Sequence, residues 1–253
     1  MSASPAMVAS GQRSIRGVLF DIDDTLVDLR SAMNLAVRLA SEEYLPALSE
    51  EGWEQIQLNF HTDPGGYYDA FLAGELDFVQ QRLARARQAF AVVGGKLPED
   101  RLLDWNASYE SAAQRHWRPF DDVAPTLAVL DQAGISYGAV SNNVEAYQRR
   151  KLDIAGLAGI SVLIGTDTVG VPKPEAAIFH EGARQLGPEA DQVLYVGDNL
   201  MIDAVGASSA GLPAVWLNRA GVNPETGAWQ GLTISSLTGI LRLLDGGLGT
   251  PGD

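Results

Sequence analysis

Residues 17–26 read Gly-Val-Leu-Phe-Asp-Ile-Asp-Asp-Thr-Leu, an apolar run that ends in three carboxylates, Asp21, Asp23 and Asp24. Like charges 4 Å apart repel by about 4 kcal/mol per pair at an effective dielectric near 20, so a cluster this dense needs compensation nearby. A cation is the obvious candidate.

Further short apolar runs at 136–140, 161–164, 192–196 and 214–217 read, with 17–20, as buried parallel strands. Residues 123–133, 145–157, 175–186 and 201–210 carry apolar side chains at three to four residue spacing, as helices do. Strand and helix in alternation predict an α/β fold, a doubly wound, Rossmann-like parallel sheet. About 115 residues separate the first run from the second, and they read as helices at 30–45, 49–60, 75–92 and 98–117. Asp63-Pro64-Gly65-Gly66 and Gly94-Gly95 act as breakers. The expected organisation is a core of 15–28 and 119–245, an inserted helical domain of 29–118, and disordered tails at 1–14 and 246–253.

The 253 residues are 46% hydrophobic and 20% charged, as in a soluble globular protein. A formal net charge of −14 without a basic run argues against binding a nucleic-acid polymer or an acidic membrane. Cysteine is absent, which removes disulfide and thiolate chemistry. Residues 1–14 lack the apolar centre of a secretory signal, and no run of about 18 apolar residues occurs, so the expected location is the cytoplasm.

In open α/β sheets ligands bind beyond the carboxyl ends of the strands, so the residues that end each strand carry the chemistry. The first run ends in Asp21, Asp23 and Thr25, the second in Ser141-Asn142-Asn143, and the fourth in Gly197-Asp198-Asn199 followed by Asp203. After the third comes Gly170-Val171-Pro172-Lys173-Pro174, in which two prolines hold Lys173 extended and Pro174 suits the first position of the next helix. Carboxylates for a hard cation, one fixed ammonium, and a hydroxyl with adjacent backbone amides together describe a phosphate site with magnesium.

Four segments, FDIDDTL, AVSNN, KPEAAIF and GDNLMID, stand in an order that closely resembles the motifs of the haloacid dehalogenase superfamily, over roughly residues 15–245. The resemblance implies that the helical insertion is that family's α-helical cap. It implies that Asp21 attacks phosphorus to form an aspartyl-phosphate and that Asp23 is the general acid and then the base. By the same resemblance Mg2+ is held by the Asp21 carboxylate, the Asp23 backbone carbonyl and Asp198, with Asp203 in a water-mediated or supporting position. Ser141, Asn142 and Lys173 would hold phosphoryl oxygens, with Thr25 at the turn between the two carboxylates. The implied partner is a small phosphorylated metabolite, and the expected assembly a monomer or weak homodimer.

Within the superfamily the residue two after the nucleophile separates reactions, and Asp23 fits phosphate-ester hydrolysis or a phosphosugar mutase and not dehalogenation. A phosphoacceptor signalling protein combines similar residues, but its acceptor follows the third strand. An EF-hand loop counted from Asp21 would need glycine and glutamate where Leu26 and Ala32 stand. His180-Glu181 lacks the second histidine of a zinc protease, because Arg184 occupies its place. Asp24 reads as a helix cap, Asn143 and Asn199 as either site lining or turn formers, and Tyr67 and Tyr68 as the cap aromatics best placed to line a cleft.

Overall fold

The computed structural model describes residues 14–224 and 229–246, so apart from Ser14 and Gly246 the expected tails lie outside the described residues. The strands are β1 (Gly17–Phe20), β2 (Ser136–Val140), β3 (Val162–Ile164), β4 (Val193–Gly197), β5 (Ala214–Leu217) and β6 (Leu232–Ile234). The α-helices are α1 (Leu29–Ser41), α2 (Glu50–Thr62), α3 (Tyr67–Leu72), α4 (Phe78–Val92), α5 (Leu102–His116), α6 (Val123–Ala133), α7 (Glu145–Ile154), α8 (Thr166–Val169), α9 (Ala176–Leu186), α10 (Gly206–Ser209) and α11 (Leu241–Gly246). A π-helical turn spans Leu200–Val205. No helix among the described residues is long and apolar enough to cross a membrane. The fold is α/β, and the described residues divide into two compact units, 14–21, 121–140, 173–224 and 229–246 in one and 22–120 and 141–172 in the other.

In the first unit five strands run parallel in the order β2-β1-β4-β5-β6. Every residue of β1 and β4 is buried, which is why both read as unbroken apolar runs and not as alternating ones. The chain steps from β1 one way to β2 and the other way to β4, so the carboxyl ends of β1 and β4 flank a topological switch point. Helix α9 packs on β1 and β2, and α6 on β2. Strand β6 was not anticipated, because three residues of half-buried Leu-Thr-Ile are too short for alternation to show.

The second unit is mostly helical. Helix α1 packs on α2 and α5, and α2 on α4, around Met33, Val37, Trp53, Phe60, Phe90 and Trp105. Local chemistry sets the ends: the side chains of Asp28 and Ser49 accept first-turn amides of α1 and α2, and Asp77 with Gln80 closes a capping box on α4, each cap contributing about 1 kcal/mol. Asp63 ends α2 in a left-handed conformation, φ 46°, so the predicted breaker is real, although α3 fits between it and α4. Residues 141–172, with α7, β3 and α8, cluster with these helices. The reasons are specific: the Tyr68 hydroxyl donates to the Asn142 carbonyl at 2.8 Å, and the Tyr147 ring meets Phe78 at 5.0 Å and Trp117 at 5.5 Å.

Candidate active site

In the first unit Asp21 follows β1 and Asp198 follows β4, with Phe20 and Val196 paired in register just before them. Asp203 is brought back to them by the π-helical turn. Asn199 caps that turn through its side chain, which accepts from Met201 N and Ile202 N at 3.1 and 3.0 Å, and its own amide donates to Asp203 Oδ2 at 3.0 Å. The approach needs Gly197, since a Cβ there would lie 2.4 Å from the Asp203 carboxylate. Asp21, Asp198 and Asp203 each offer an oxygen, all within 4.8 Å of one another.

Lys173, buried to 4% exposure, lies in that cluster. Its ammonium donates to Asp21 Oδ1 at 2.6 Å, Asp203 Oδ1 at 2.7 Å and the Tyr195 hydroxyl at 3.1 Å. Burial pushes its pKa down, but Asp203 and Asp21 push it up further, so Lys173 is held charged well above the ordinary lysine range. Burial likewise raises Tyr195 and keeps it neutral. Three carboxylates against one ammonium leave two negative charges over. An all-oxygen set with that surplus fits a hard divalent cation such as magnesium.

The second unit holds the other half of the predicted set. Asp23 Oδ1 pairs with Lys151, and Asp23 Oδ2 accepts from Gln148 Nε2 at 2.8 Å. The same Gln148 nitrogen donates to Ser141 Oγ at 2.6 Å. Gln148 and Lys151, three residues apart on one face of α7, thus fix Asp23 and Ser141 together. Thr25 is fully buried within the turn, where Leu26 N and Val27 N both donate to the Ile22 carbonyl. Asp24, at φ 61°, takes the Arg30 amide at 2.8 Å, and burial raises its carboxyl to about 6.

Asp23 and Lys151 line a cavity of about 370 Å³ that is walled by the helices of this unit, with His61, Tyr68, Arg82 and Arg85 among its other residues. Burial first, then Arg30 and Arg85, lowers His61 to about 4, so the imidazole is neutral. Arg82 is paired to Glu110 at 2.7 Å.

The structure therefore brings Asp21, Lys173, Asp198 and Asp203 together in one unit, and Asp23 and Ser141 together in the other, where Asn142 offers its carbonyl to Tyr68. Two expectations change. Pro174 is not the first residue of a helix, because α9 begins at Ala176 behind Glu175. Of the aromatic pair, Tyr68 lines the cavity and Tyr67 does not. Sequence reading missed Gln148, Lys151 and Tyr195. The helical spacing of 148 and 151 directly after the second motif was the available signal, whereas nothing marks a tyrosine inside an apolar strand.

The family of haloacid dehalogenase-like hydrolases matches residues 15–211. A glyceraldehyde 3-phosphate phosphatase of Methanopyrus kandleri is 30% identical over 216 residues, 81% of this chain and 84% of that protein. A phosphoglycolate phosphatase of Salmonella paratyphi A is 32% identical over 217 residues, 81% of this chain and 82% of that one. Among solved structures, the putative HAD-hydrolase YfnB from Bacillus subtilis bound to magnesium superposes with TM-score 0.75 at 23% identity, covering 92% of this chain and 100% of that one. The L-2-haloacid dehalogenase RSc1362 does so with TM-score 0.72 at 23% identity and the same coverage. At these identities the two structures speak to the fold alone.

Proposed function

The chain belongs to the haloacid dehalogenase-like hydrolases, and we propose that it is a magnesium-dependent phosphatase of a small phosphomonoester. The observation that carries this reading is the Asp21, Asp198 and Asp203 cluster with its ammonium at the switch point. Relatives that act as phosphatases along four fifths of the chain support it.

The residues divide the work. Lys173 fixes the Asp21 carboxylate, which attacks phosphorus; a bond from Asp21 to phosphorus forms as the bond to the leaving oxygen breaks. Asp23, whose carboxylate Gln148 and Lys151 orient, takes up a proton before it gives one to the leaving oxygen, and then takes one from the water that hydrolyses the aspartyl-phosphate. Ser141, Asn142, Thr25 and Lys173 are assigned to the phosphoryl oxygens. Magnesium, held by Asp21, the Asp23 carbonyl and Asp198, with Asp203 supporting, would offset the repulsion between an anionic nucleophile and an anionic substrate. The helices of 29–118 act as the cap that selects the leaving group.

A panel of phosphorylated metabolites assayed with Mg2+ and with chelator tests the assignment. Phosphate release that depends on the metal and falls at least about 10⁴-fold in Asp21→Asn, with the far-UV circular dichroism unchanged, is expected. Undiminished turnover in that variant removes Asp21 from the nucleophile role. A sugar 1-phosphate with a bisphosphate primer yields isomer if the enzyme is a mutase. A phosphoprotein that persists for minutes without turnover marks a phosphoacceptor.

A further inference from the structure

Three cationic side chains at most 9% exposed line the cavity of the second unit, and two of them are neutralised, Arg82 by Glu110 and Lys151 by Asp23. The third is Arg85. Among the described residues no carboxylate oxygen comes within 4.0 Å of it. Its Nε and Nη2 donate to the Phe60 carbonyl at 3.0 and 2.5 Å, and its Nη1 to Gln81 Oε1 at 3.3 Å. A guanidinium has five N–H groups, so two are left without an acceptor among the described residues. The Phe60 carbonyl lies in the last turn of α2, where the helix dipole offsets part of the charge. That contact, with the Phe60 ring 4.5 Å from the guanidinium carbon, explains how the chain tolerates Arg85; it takes the Nε–Nη2 edge and leaves one N–H on each of Nη1 and Nη2. A buried charge without a counter-ion is costly, and natural sites keep one where a ligand supplies the partner.

We propose that Arg85 is a specificity-determining residue, the receptor for a second oxyanion, a carboxylate or phosphate, on the leaving-group side of the substrate. The inference rests on the phosphatase reading, and it narrows the substrate to phosphomonoesters that carry another negative group. The planar fork suits such a group in two-point contact. Of the other charged groups in the walls, Asp23 is paired with Lys151 and Arg82 with Glu110, the Asp24 carboxylate takes the Arg30 amide, Asp69 also lines the cavity, and His61 is uncharged. Asp63, whose field favours the charged guanidinium, has one oxygen engaged by the Tyr68 amide at 2.6 Å and lies beyond ion-pair distance.

Matched probes test it: phosphoglycolate, its neutral amide phosphoglycolamide, and ethylene glycol bisphosphate, with Mg2+, on the wild type, Arg85→Gln and Arg85→Lys. The wild type is expected to favour a charged probe over the amide by about 10- to 100-fold in kcat/KM. Arg85→Gln should erase that ratio mainly through KM, and Arg85→Lys should keep part of it. The better of the two charged probes identifies the oxyanion. Equal use of charged and neutral probes by the wild type, or an unchanged ratio in Arg85→Gln, overturns the proposal. If Arg85→Gln does not fold, the wild-type ratio and Arg85→Lys decide. If no phosphomonoester is turned over, the phosphatase reading fails by itself, and calorimetric binding of the same three probes still decides on Arg85.

Discussion

Lys173 in the first unit and Lys151 in the second are both almost fully buried, at 4% and 1% exposure, yet their surroundings differ in kind. Lys173 meets two carboxylates directly, with a third beside them, and the group keeps a surplus of negative charge. Lys151 meets one carboxylate, Asp23, and lies 5.5 and 5.4 Å from the Trp117 and Tyr147 rings, so its charge is balanced by one anion and two aromatic faces. The surplus in the first unit is what a divalent ion and an electrophile would complete. The balance in the second is what holds the Asp23 carboxylate in orientation.

The strongest way to separate the two roles acts on Asp23, the proposed general acid. Asp23→Asn should lower kcat by about 10²- to 10⁴-fold while the protein still binds phosphate, because it removes proton transfer and spares the first cluster. If kcat is unaffected, Asp23 is only a structural partner of Lys151. Next come the lysines. Lys173→Met strands three carboxylates and is expected to cost about 3–5 kcal/mol of stability by urea unfolding without metal. Lys151→Met leaves a single carboxylate that is 27% exposed and should cost less, about 1.5–3 kcal/mol. Equal losses would erase the distinction drawn between the units.

Magnesium sharpens the same contrast. At a hundred times its dissociation constant it should add about 2.7 kcal/mol, or roughly 5–10 °C in Tm. Asp198→Asn should abolish that gain and Lys151→Met should retain it. A Tm indifferent to magnesium in the wild type would contradict the surplus-charge argument.

The smallest effect concerns His61. Its folded pKa of about 4 lies below the ordinary 6.5, so between those values the unfolded chain binds the proton and the folded one does not. Its contribution to stability is complete above about pH 6.5 and shrinks as pH falls toward 4. His61→Gln should therefore gain on the wild type progressively over that window, as read by thermal melts at stepped pH. A constant difference across the window would place the imidazole in solvent.

Much of this was legible in the chain. Unbroken apolar runs marked β1 and β4 because strands buried on both faces have no polar side to alternate, and helical spacing found α1, α2, α5 and α6 within a few residues. Asp21, Lys173 and Asp198 could be named because each stands at a strand end or in a proline-bracketed loop, and Asp203 because it closes the fourth motif, GDNLMID. The π-helical turn was read as an ordinary helix from 201, since one extra residue in a turn barely alters apolar spacing. Helix α3 was hidden within a glycine-rich break.

The sequence by itself determined which residue types end each strand, the surplus of acid among them, and hence a parallel α/β scaffold with metal-seeking chemistry. Only the tertiary structure decided which charges meet: Lys173 on Asp21 and Asp203 across 152 and 30 residues respectively, Lys151 on Asp23, and Arg85 on no carboxylate among the described residues. Pairing of buried charges is a matter of a few ångströms in space, and chain order does not encode that distance until the backbone has packed.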